Sequence, residues 1–216
     1  MKKIVFSAIL IAISFIGYSQ STRLGVCLNP HFAWFNENSD LMKSNGTRLG
    51  LEGGLVIEHY FAKNYAFATG IHLGSFGGTL VYNDTIVFRT NDEDKTVPPQ
   101  LEVKYKMQYI SIPIDLKLKT NQIGFLSYFA RLGFNAQVNI GAKADAPPAL
   151  DNDAAGKEVG LFSLGYHFGG GVEYGVGGNT AIILGVDYNN GFLDLLTKQK
   201  ARQSLSYLTI NVGVMF

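Results

Sequence analysis

The chain has 216 residues, a formal net charge of +1, 47% hydrophobic residues and 16% charged residues. This balance is ordinary for a globular protein and gives no basic surplus of the kind that binds nucleic acid. The 25 glycines, 15 phenylalanines and 11 tyrosines are typical of antiparallel β-structure, in which glycines make room for large neighbours.

The N-terminus has the pattern of a secretory signal peptide. Lys2 and Lys3 precede an apolar run over Ile4–Ile16, and the small residues Gly17 and Ser19 follow. The alternative, a membrane anchor, is less favoured because a spanning helix needs about 20 apolar residues. We therefore predict a signal peptide over residues 1–19 and a mature domain over residues 20–216. Cleavage removes two of the 18 basic residues and leaves 16 against 17 acidic ones.

The mature chain alternates apolar and polar residues with a period of two, which predicts strands. In the last of them, Leu208, Ile210, Val212 and Val214 share one face, and the chain ends on Phe216. One strand changes parity near Tyr109–Ile110, which predicts a β-bulge there or a change of environment. Eight segments follow the pattern: Arg23–Phe35, Arg48–Phe61, Tyr65–Gly74, Leu101–Leu118, Tyr128–Gly141, Phe162–Val176, Ala181–Asn189 and Leu205–Phe216.

The connections between these segments are alternately long and short. The stretches 77–100 and 143–158 are polar and contain paired prolines, so we predict long exposed loops there. Both ends of the mature chain then lie on the side of the short turns. Long external loops and short periplasmic turns are the pattern of outer-membrane barrels.

The volume of the apolar side chains indicates which face lies outside. An eight-stranded barrel has an interior just wide enough for side chains to fill, and ~40 large apolar residues could not all enter it. Turned outward, they require lipid, because soluble monomers tolerate only small apolar patches. Glycines such as Gly133 and Gly169 share the opposite face with Arg131 and Glu173, as expected of a crowded lumen. The predicted fold is an all-β, eight-stranded antiparallel transmembrane β-barrel with long extracellular loops and short periplasmic turns, in which the last strand closes on the first.

Several motifs resemble those of the PorT-like outer-membrane β-barrel family. They are Tyr109-Ile-Ser-Ile-Pro-Ile-Asp-Leu-Lys-Leu-Lys119, the segment Tyr128–Gly141, Phe168-Gly-Gly-Gly-Val-Glu-Tyr174 and Asp187-Tyr-Asn-Asn-Gly191. The resemblance implies an eight-stranded barrel in the outer membrane of a Gram-negative bacterium. Because the family's namesake is a secretion component, it also implies a part in protein secretion.

The candidate site is a group of charged residues that the alternation turns into the lumen. Isolated buried charges cost several kcal/mol, so the charges of a narrow lumen are expected to pair. We predict a salt-bridge network of Glu58, Asp115, Lys117, Arg131 and Glu173, centred on Arg131 with Glu173 and Glu58. Its favoured role is to plug and staple the barrel, and the alternative is to gate a narrow pore.

Aromatic residues near the strand ends predict two belts at the lipid interfaces: Trp34, Phe61, Tyr65, Tyr128, Tyr174, Tyr188 and Phe216. The terminal Phe216 also resembles the signal by which barrel-assembly machinery recognises its clients. The single Cys27 is predicted to be a small lumen-facing residue. His31, His167, Ser163 and Asp187 also face the lumen and could form a set for acyl transfer, but this interpretation is disfavoured because no nucleophile motif accompanies them.

Two functions from different classes are consistent with these patterns. The favoured one is a non-enzymatic outer-membrane protein that anchors surface loops for interaction or envelope integrity, with membership of a secretion system as an extension. The alternative is a narrow passive pore for small solutes. The expected partners are outer-membrane lipid, the assembly machinery and a protein at the extracellular loops, with no nucleic acid, cofactor or metal.

Overall fold

The computed structural model describes residues 22–37, 41–90, 93–196 and 203–216. Within these ranges the chain forms strands and no helix that is long and apolar enough to cross a membrane. In chain order the strands are β1 (Thr22–Glu37), β2 (Met42–Ser44), β3 (Arg48–Ala62), β4 (Tyr65–Tyr82), β5 (Ile86–Arg89), β6 (Asp94–Val97), β7 (Glu102–Lys119), β8 (Leu126–Ala146), β9 (Leu150–Ala154), β10 (Phe162–Gly177), β11 (Thr180–Gly191) and β12 (Gln203–Met215).

The eight long strands of the described residues form a closed antiparallel barrel in the order β1, β3, β4, β7, β8, β10, β11, β12. The last strand pairs with the first, so that Val214 lies opposite Val26 and Leu208 opposite Phe32. This seam closes the ring of eight long strands and confirms the predicted all-β, eight-stranded antiparallel barrel. The predicted signal peptide lies outside the described residues and stays a prediction.

The two ends of the barrel differ. At one end, called the turn end here, β3–β4 and β10–β11 are joined by two residues each, and Thr22 and Phe216 lie at the same end. The β10–β11 turn contains Gly177 and Gly178 with φ of +132° and +58°, which glycine adopts at no steric cost. The opposite end, called the loop end, carries the longer connections.

The apolar face of every barrel strand points outward. Leu49, Phe67 and Phe168 are 66%, 58% and 54% exposed, whereas the alternating residues Glu58 and Asp187 are buried inside. Strand alternation places successive side chains on opposite faces, so this arrangement puts a continuous apolar band around the barrel. Small and polar residues fill much of the interior, and larger apolar and aromatic residues fill the rest.

The parity change near Tyr109 reflects a change of environment along β7, and the nearby bulge lies on the neighbouring strand. In β7 the odd positions face inward throughout, but their surroundings change from the apolar neighbours of Tyr105 and Met107 to the polar lumen around Asp115. The register shift occurs where Gln108 pairs with Gly141 and Tyr109 pairs with Asn139. The extra residue is therefore on β8 rather than β7, and β8 changes its inward face at that point.

Much of the two predicted loops is ordered, which corrects that expectation. Strand β4 continues to Tyr82, β8 continues to Ala146, and β5 and β6 form a separate hairpin. Phe88 and Val97 of this hairpin are fully buried. They belong to an apolar core at the loop end, called the cap core here: Ala33, Phe35, Met42, Phe76, Leu80, Tyr82, Phe88, Val97, Val103, Tyr105, Met107, Tyr109, Ala142, Ala144, Ala146, Leu150, Ala155, Val159, Leu195, Leu196, Leu205 and Tyr207. The sequence did not reveal this core because its apolar residues are scattered among turn-forming ones.

Candidate functional site: the lumen charges

Lys117 lies at the centre of an ion-pair cluster near the turn end. Its ammonium group contacts the carboxylates of Glu58 and Glu173, and all three side chains are at most 3% exposed. The three residues come from β7, β3 and β10. Lys117 Nζ also lies 4.6 Å from the ring centroid of Phe129, a favourable cation–π arrangement. The cluster therefore ties strands from opposite sides of the barrel together.

Further groups complete the charge balance around the two carboxylates. Glu173 accepts a hydrogen bond of 3.1 Å from Arg23 Nη1 and also pairs with Lys119. Glu58 accepts a 3.0 Å hydrogen bond from the Tyr60 hydroxyl and lies 3.9 Å from Arg23. Each carboxylate thus has more than one partner, as a charge in a narrow interior requires.

Arg131 is not the centre of this cluster, contrary to the sequence prediction. Its guanidinium pairs with Asp187, with Nε 2.8 and 3.0 Å from the two carboxylate oxygens. Asn211 Nδ2 donates a 2.9 Å hydrogen bond to the same carboxylate. The predicted network is therefore divided into separate groups, with Lys117 between Glu58 and Glu173, and Arg131 on Asp187.

A small residue on the intervening strand explains which charges meet. Gly169 lies between Arg131 and Asp187 in the strand registers, and a Cβ at Gly169 would collide with the Asp187 carboxylate. Gly133 lies in the same way between Asp115 and His167. Because glycine has no side chain, inward groups on strands two apart can touch across it.

Asp115, the fifth predicted residue, is paired with a histidine. Asp115 Oδ1 lies 2.9 Å from His167 Nε2, which is within the range of an ion pair. The angles of this contact do not meet the geometry of a hydrogen bond. Both groups face a cavity of about 70 Å³ in the middle of the lumen. Asn29, Glu52 and Asn135 also line this cavity, and one buried side-chain oxygen of each has no protein hydrogen-bond partner. Buried polar groups of this kind are usually satisfied by water, and the cavity is large enough for it.

Stacked rings at the base of the cap core close the lumen next to this cavity. His31 stacks on Phe76 with ring centroids 4.3 Å apart, and Tyr207 lies 5.0 Å from Phe76 and 5.4 Å from His31. The Tyr207 hydroxyl accepts a 2.9 Å hydrogen bond from Asn135 Nδ2. The lumen is thus filled at two levels, by charges near the turn end and by rings near the loop end.

The acyl-transfer set suggested by the sequence is not assembled. His31 is stacked between rings, His167 faces Asp115, and Asp187 holds Arg131. In the described part of the chain, Ser163 makes no hydrogen bond with either histidine. The sequence patterns did not predict the one histidine that the described residues place next to a thiol: His72 Nε2 is 3.7 Å from Cys27 Sγ. Over the same described ranges, no group of three or more His, Cys, Asp or Glu residues is placed to hold a metal ion.

The residues predicted for the lipid interfaces lie on the outer face of the barrel. Trp34 and Tyr188 have ring centroids 6.3 Å apart towards the loop end, and Phe61 and Tyr65 have theirs 6.2 Å apart at the turn end. The other three turn-end residues, Tyr128, Tyr174 and Phe216, are also exposed on this face. These positions are those that aromatic belts occupy in transmembrane barrels.

Comparison with known families identifies this architecture. The family described as "Outer membrane protein beta-barrel domain" matches residues 18–197. The chain belongs to this family. Membership implies that the protein is located in the outer membrane of a Gram-negative bacterium. Signal-peptide cleavage and the narrower PorT-like resemblance remain predictions. Among curated protein sequences, none matches.

Solved structures of outer-membrane proteins are similar to this chain. Neisserial surface protein A (NspA) has a TM-score of 0.51 and 13% identity, with 92% of this chain and 98% of that chain covered. OprG from Pseudomonas aeruginosa has a TM-score of 0.43 and 12% identity, with 91% and 97% covered. Ail, the attachment invasion locus protein of Yersinia pestis, has a TM-score of 0.39 and 12% identity, with 91% and 99% covered. At these identities, the likeness to NspA is evidence for the fold alone.

Proposed function

We propose that this outer-membrane barrel is a non-conducting, non-enzymatic anchor that presents its folded loop end outside the cell for interaction or envelope integrity. In outer-membrane barrels the long connections are extracellular and the short turns are periplasmic, so the cap core would lie outside the membrane. The observation that carries the proposal is the filling of the lumen at two separate levels.

The lower level is the Lys117 cluster. Lys117, Glu58 and Glu173 are nearly inaccessible, and Phe129, Ile183 and Met215 form a small buried apolar cluster in the same part of the lumen. A water-filled channel requires polar groups that stay hydrated, whereas these charges neutralise one another. The cluster therefore supports the structural role over the gate.

The upper level is the cap core, with the ring stack at its base. Buried apolar side chains exclude water, so a solute that passed the Lys117 cluster would still meet a dry barrier. The cap is also held by polar contacts, since Lys95 Nζ of β6 lies 2.9 Å from Asp153 Oδ2 of β9. A folded external surface of this kind is suited to contact another molecule.

Solute entry into liposomes tests the choice between anchor and pore. We expect proteoliposomes with this protein to swell no faster in small sugars or amino acids than empty liposomes do. A general porin, reconstituted at the same protein-to-lipid ratio, is the positive control. Swelling by the folded wild-type protein at a rate that scales with its density would establish the pore instead.

A second experiment tests the proposed interaction at the loop end, including the secretion-system partner that the PorT-like resemblance implies. A photo-cross-linking amino acid replaces Val87, which is 60% exposed on the β5–β6 hairpin, in intact cells. Val97, fully buried in the same hairpin, is the matched control. We expect one discrete adduct from position 87 and none from position 97. The same adducts from both positions, or none from 87, would argue against a protein partner at this surface.

A further inference from the structure

The lumen contains a thiol, an imidazole and a carboxylate in a line. Cys27 Sγ lies 3.7 Å from His72 Nε2, and His72 Nδ1 lies 3.1 Å from Glu52 Oε1. Asn29 Nδ2 donates a 3.5 Å hydrogen bond to the same sulfur. A nucleophile within reach of a base, with the base oriented by a third group, is the arrangement by which proteins activate weak nucleophiles.

Gly54 is the reason why the thiol and the imidazole meet. Cys27 on β1 and His72 on β4 are both register partners of Gly54 on β3. A Cβ at position 54 would lie 2.6 Å from His72 Cα and 2.6 Å from His72 Cδ2. The ring of His72 therefore occupies the space that a side chain on β3 would fill, and from there it reaches the sulfur.

The surroundings of this group have unused hydrogen-bonding capacity. Glu52 Oε2 and Asn29 Oδ1 are buried without a protein partner, and their residues are 7% and 5% exposed. Both line the central cavity of about 70 Å³, as does Cys27. About 10–15 Å³ of such volume is enough to hold one water molecule, so the cavity admits several waters or one small molecule. A small ligand that donates hydrogen bonds fits both the volume and the free acceptors.

We propose that Cys27 is a modification site for small uncharged peroxides, with His72 as its base and Glu52 as the residue that positions the base. The His72 Nε2 atom takes the thiol proton while the sulfur attacks one peroxide oxygen. The S–O bond forms as the O–O bond breaks, and the leaving hydroxide takes the proton back from His72. Cys27 is oxidised to a sulfenic acid and hydrogen peroxide is reduced to water. Because the chain has one cysteine, no internal disulfide can follow.

The single cysteine also makes the test unambiguous, since every adduct is at Cys27. Purified full-length protein in detergent micelles is treated with hydrogen peroxide, and sulfenic acid is trapped with dimedone and measured by intact mass spectrometry. We expect the folded protein to react at least about 10-fold faster than the same protein unfolded in urea at the same pH, because a positioned base contributes 10²–10⁴-fold in favourable cases. A folded protein that reacts no faster than the unfolded one would overturn the proposal.

Variants separate activation from mere location in the lumen. His72→Gln is expected to lower the rate at least about 10-fold, whereas His31→Gln, at a lumen histidine that stacks on Phe76 and is not part of the cavity lining, leaves it within about twofold. Glu52→Ala should also lower the rate, and Glu52→Asp, which keeps the carboxylate, should restore most of it. Equal rates in His72→Gln and wild type, or equal losses in the two histidine variants, would refute the assignment. If His72→Gln does not fold, the Glu52 pair and the comparison with the unfolded protein decide the matter.

Discussion

We predict that removing the charge of Lys117 destabilises the barrel. Replacement by Met in Lys117→Met keeps the length of the side chain and removes its charge. Glu173 still has Arg23 and Lys119, but Glu58 keeps only the Tyr60 hydroxyl and a guanidinium 3.9 Å away. The variant therefore leaves one buried carboxylate largely uncompensated.

The size of the effect follows from the burial of the partners. Removing one member of a buried pair costs roughly 3–5 kcal/mol, and the surviving partners of Glu173 put this case near the lower limit, at about 3 kcal/mol. The matched control is Lys119→Met, whose side chain is 20% exposed and whose partner Glu173 keeps two other cations. More exposed ion pairs contribute about 0–1 kcal/mol. We expect the free energy of unfolding to differ by about 2 kcal/mol between the variants.

Urea unfolding in lipid vesicles measures this difference. Trp34 is the single tryptophan and lies on the outer face of β1, so its fluorescence reports the transfer of that strand between lipid and water. The double variant Lys117→Met with Glu58→Gln should recover at least about 1 kcal/mol, because the unpaired charge is then gone. Equal losses in the Lys117 and Lys119 variants, or no recovery in the double variant, would refute the reasoning.

Three further predictions concern packing, biogenesis and pH. Gly54→Ala is expected to reduce the folded fraction strongly, because its Cβ would clash with the backbone of β4. The control Gly175→Ala should fold normally, because its Cβ meets nothing closer than 3.5 Å. The SDS-resistance of the folded barrel measures the folded fraction of both variants. Deleting Phe216, an exposed residue, should lower outer-membrane abundance in cells while leaving unfolding in vesicles little changed; full abundance would exclude a role in client recognition. The hydrogen bond from Lys95 holds the pKa of Asp153 below its ordinary value of 3.8, so this pair stabilises hairpin docking above about pH 4 and is lost as the pH falls through the lowered pKa. Amide protection in β5–β6 should therefore fall between pH 6 and pH 3 in the wild type, with a smaller change in Asp153→Asn.

The barrel could be predicted from sequence because it depends on local alternation. Residues such as Leu208, Ile210 and Val212 face outward as the period of two requires, and the closing partner of the last strand follows from topology. The volume argument then determined the outward face, since a narrow barrel cannot enclose so many large side chains. These inferences need only the order of residues along each strand.

The pairing of lumen charges could not be predicted in the same way. Alternation places Arg131 and Glu173 inside, but their contacts depend on the register between strands that are distant in sequence. Arg131 meets Asp187 because Gly169 lies between them, and a single sequence does not give that register. The same holds for Cys27 and His72 across Gly54. Registers predicted together with inward glycines would have identified both pairs.

Single-channel recording in planar lipid bilayers tests the filled lumen most directly. The protein is inserted until its presence in the membrane is confirmed, and current is measured over both polarities, with Arg131→Ala recorded in parallel. With charges packed around Lys117 and the cap core closed above them, we expect no discrete conductance steps from either protein. Reproducible ohmic steps from the folded wild type, altered in Arg131→Ala, would contradict the closed barrel and establish a pore.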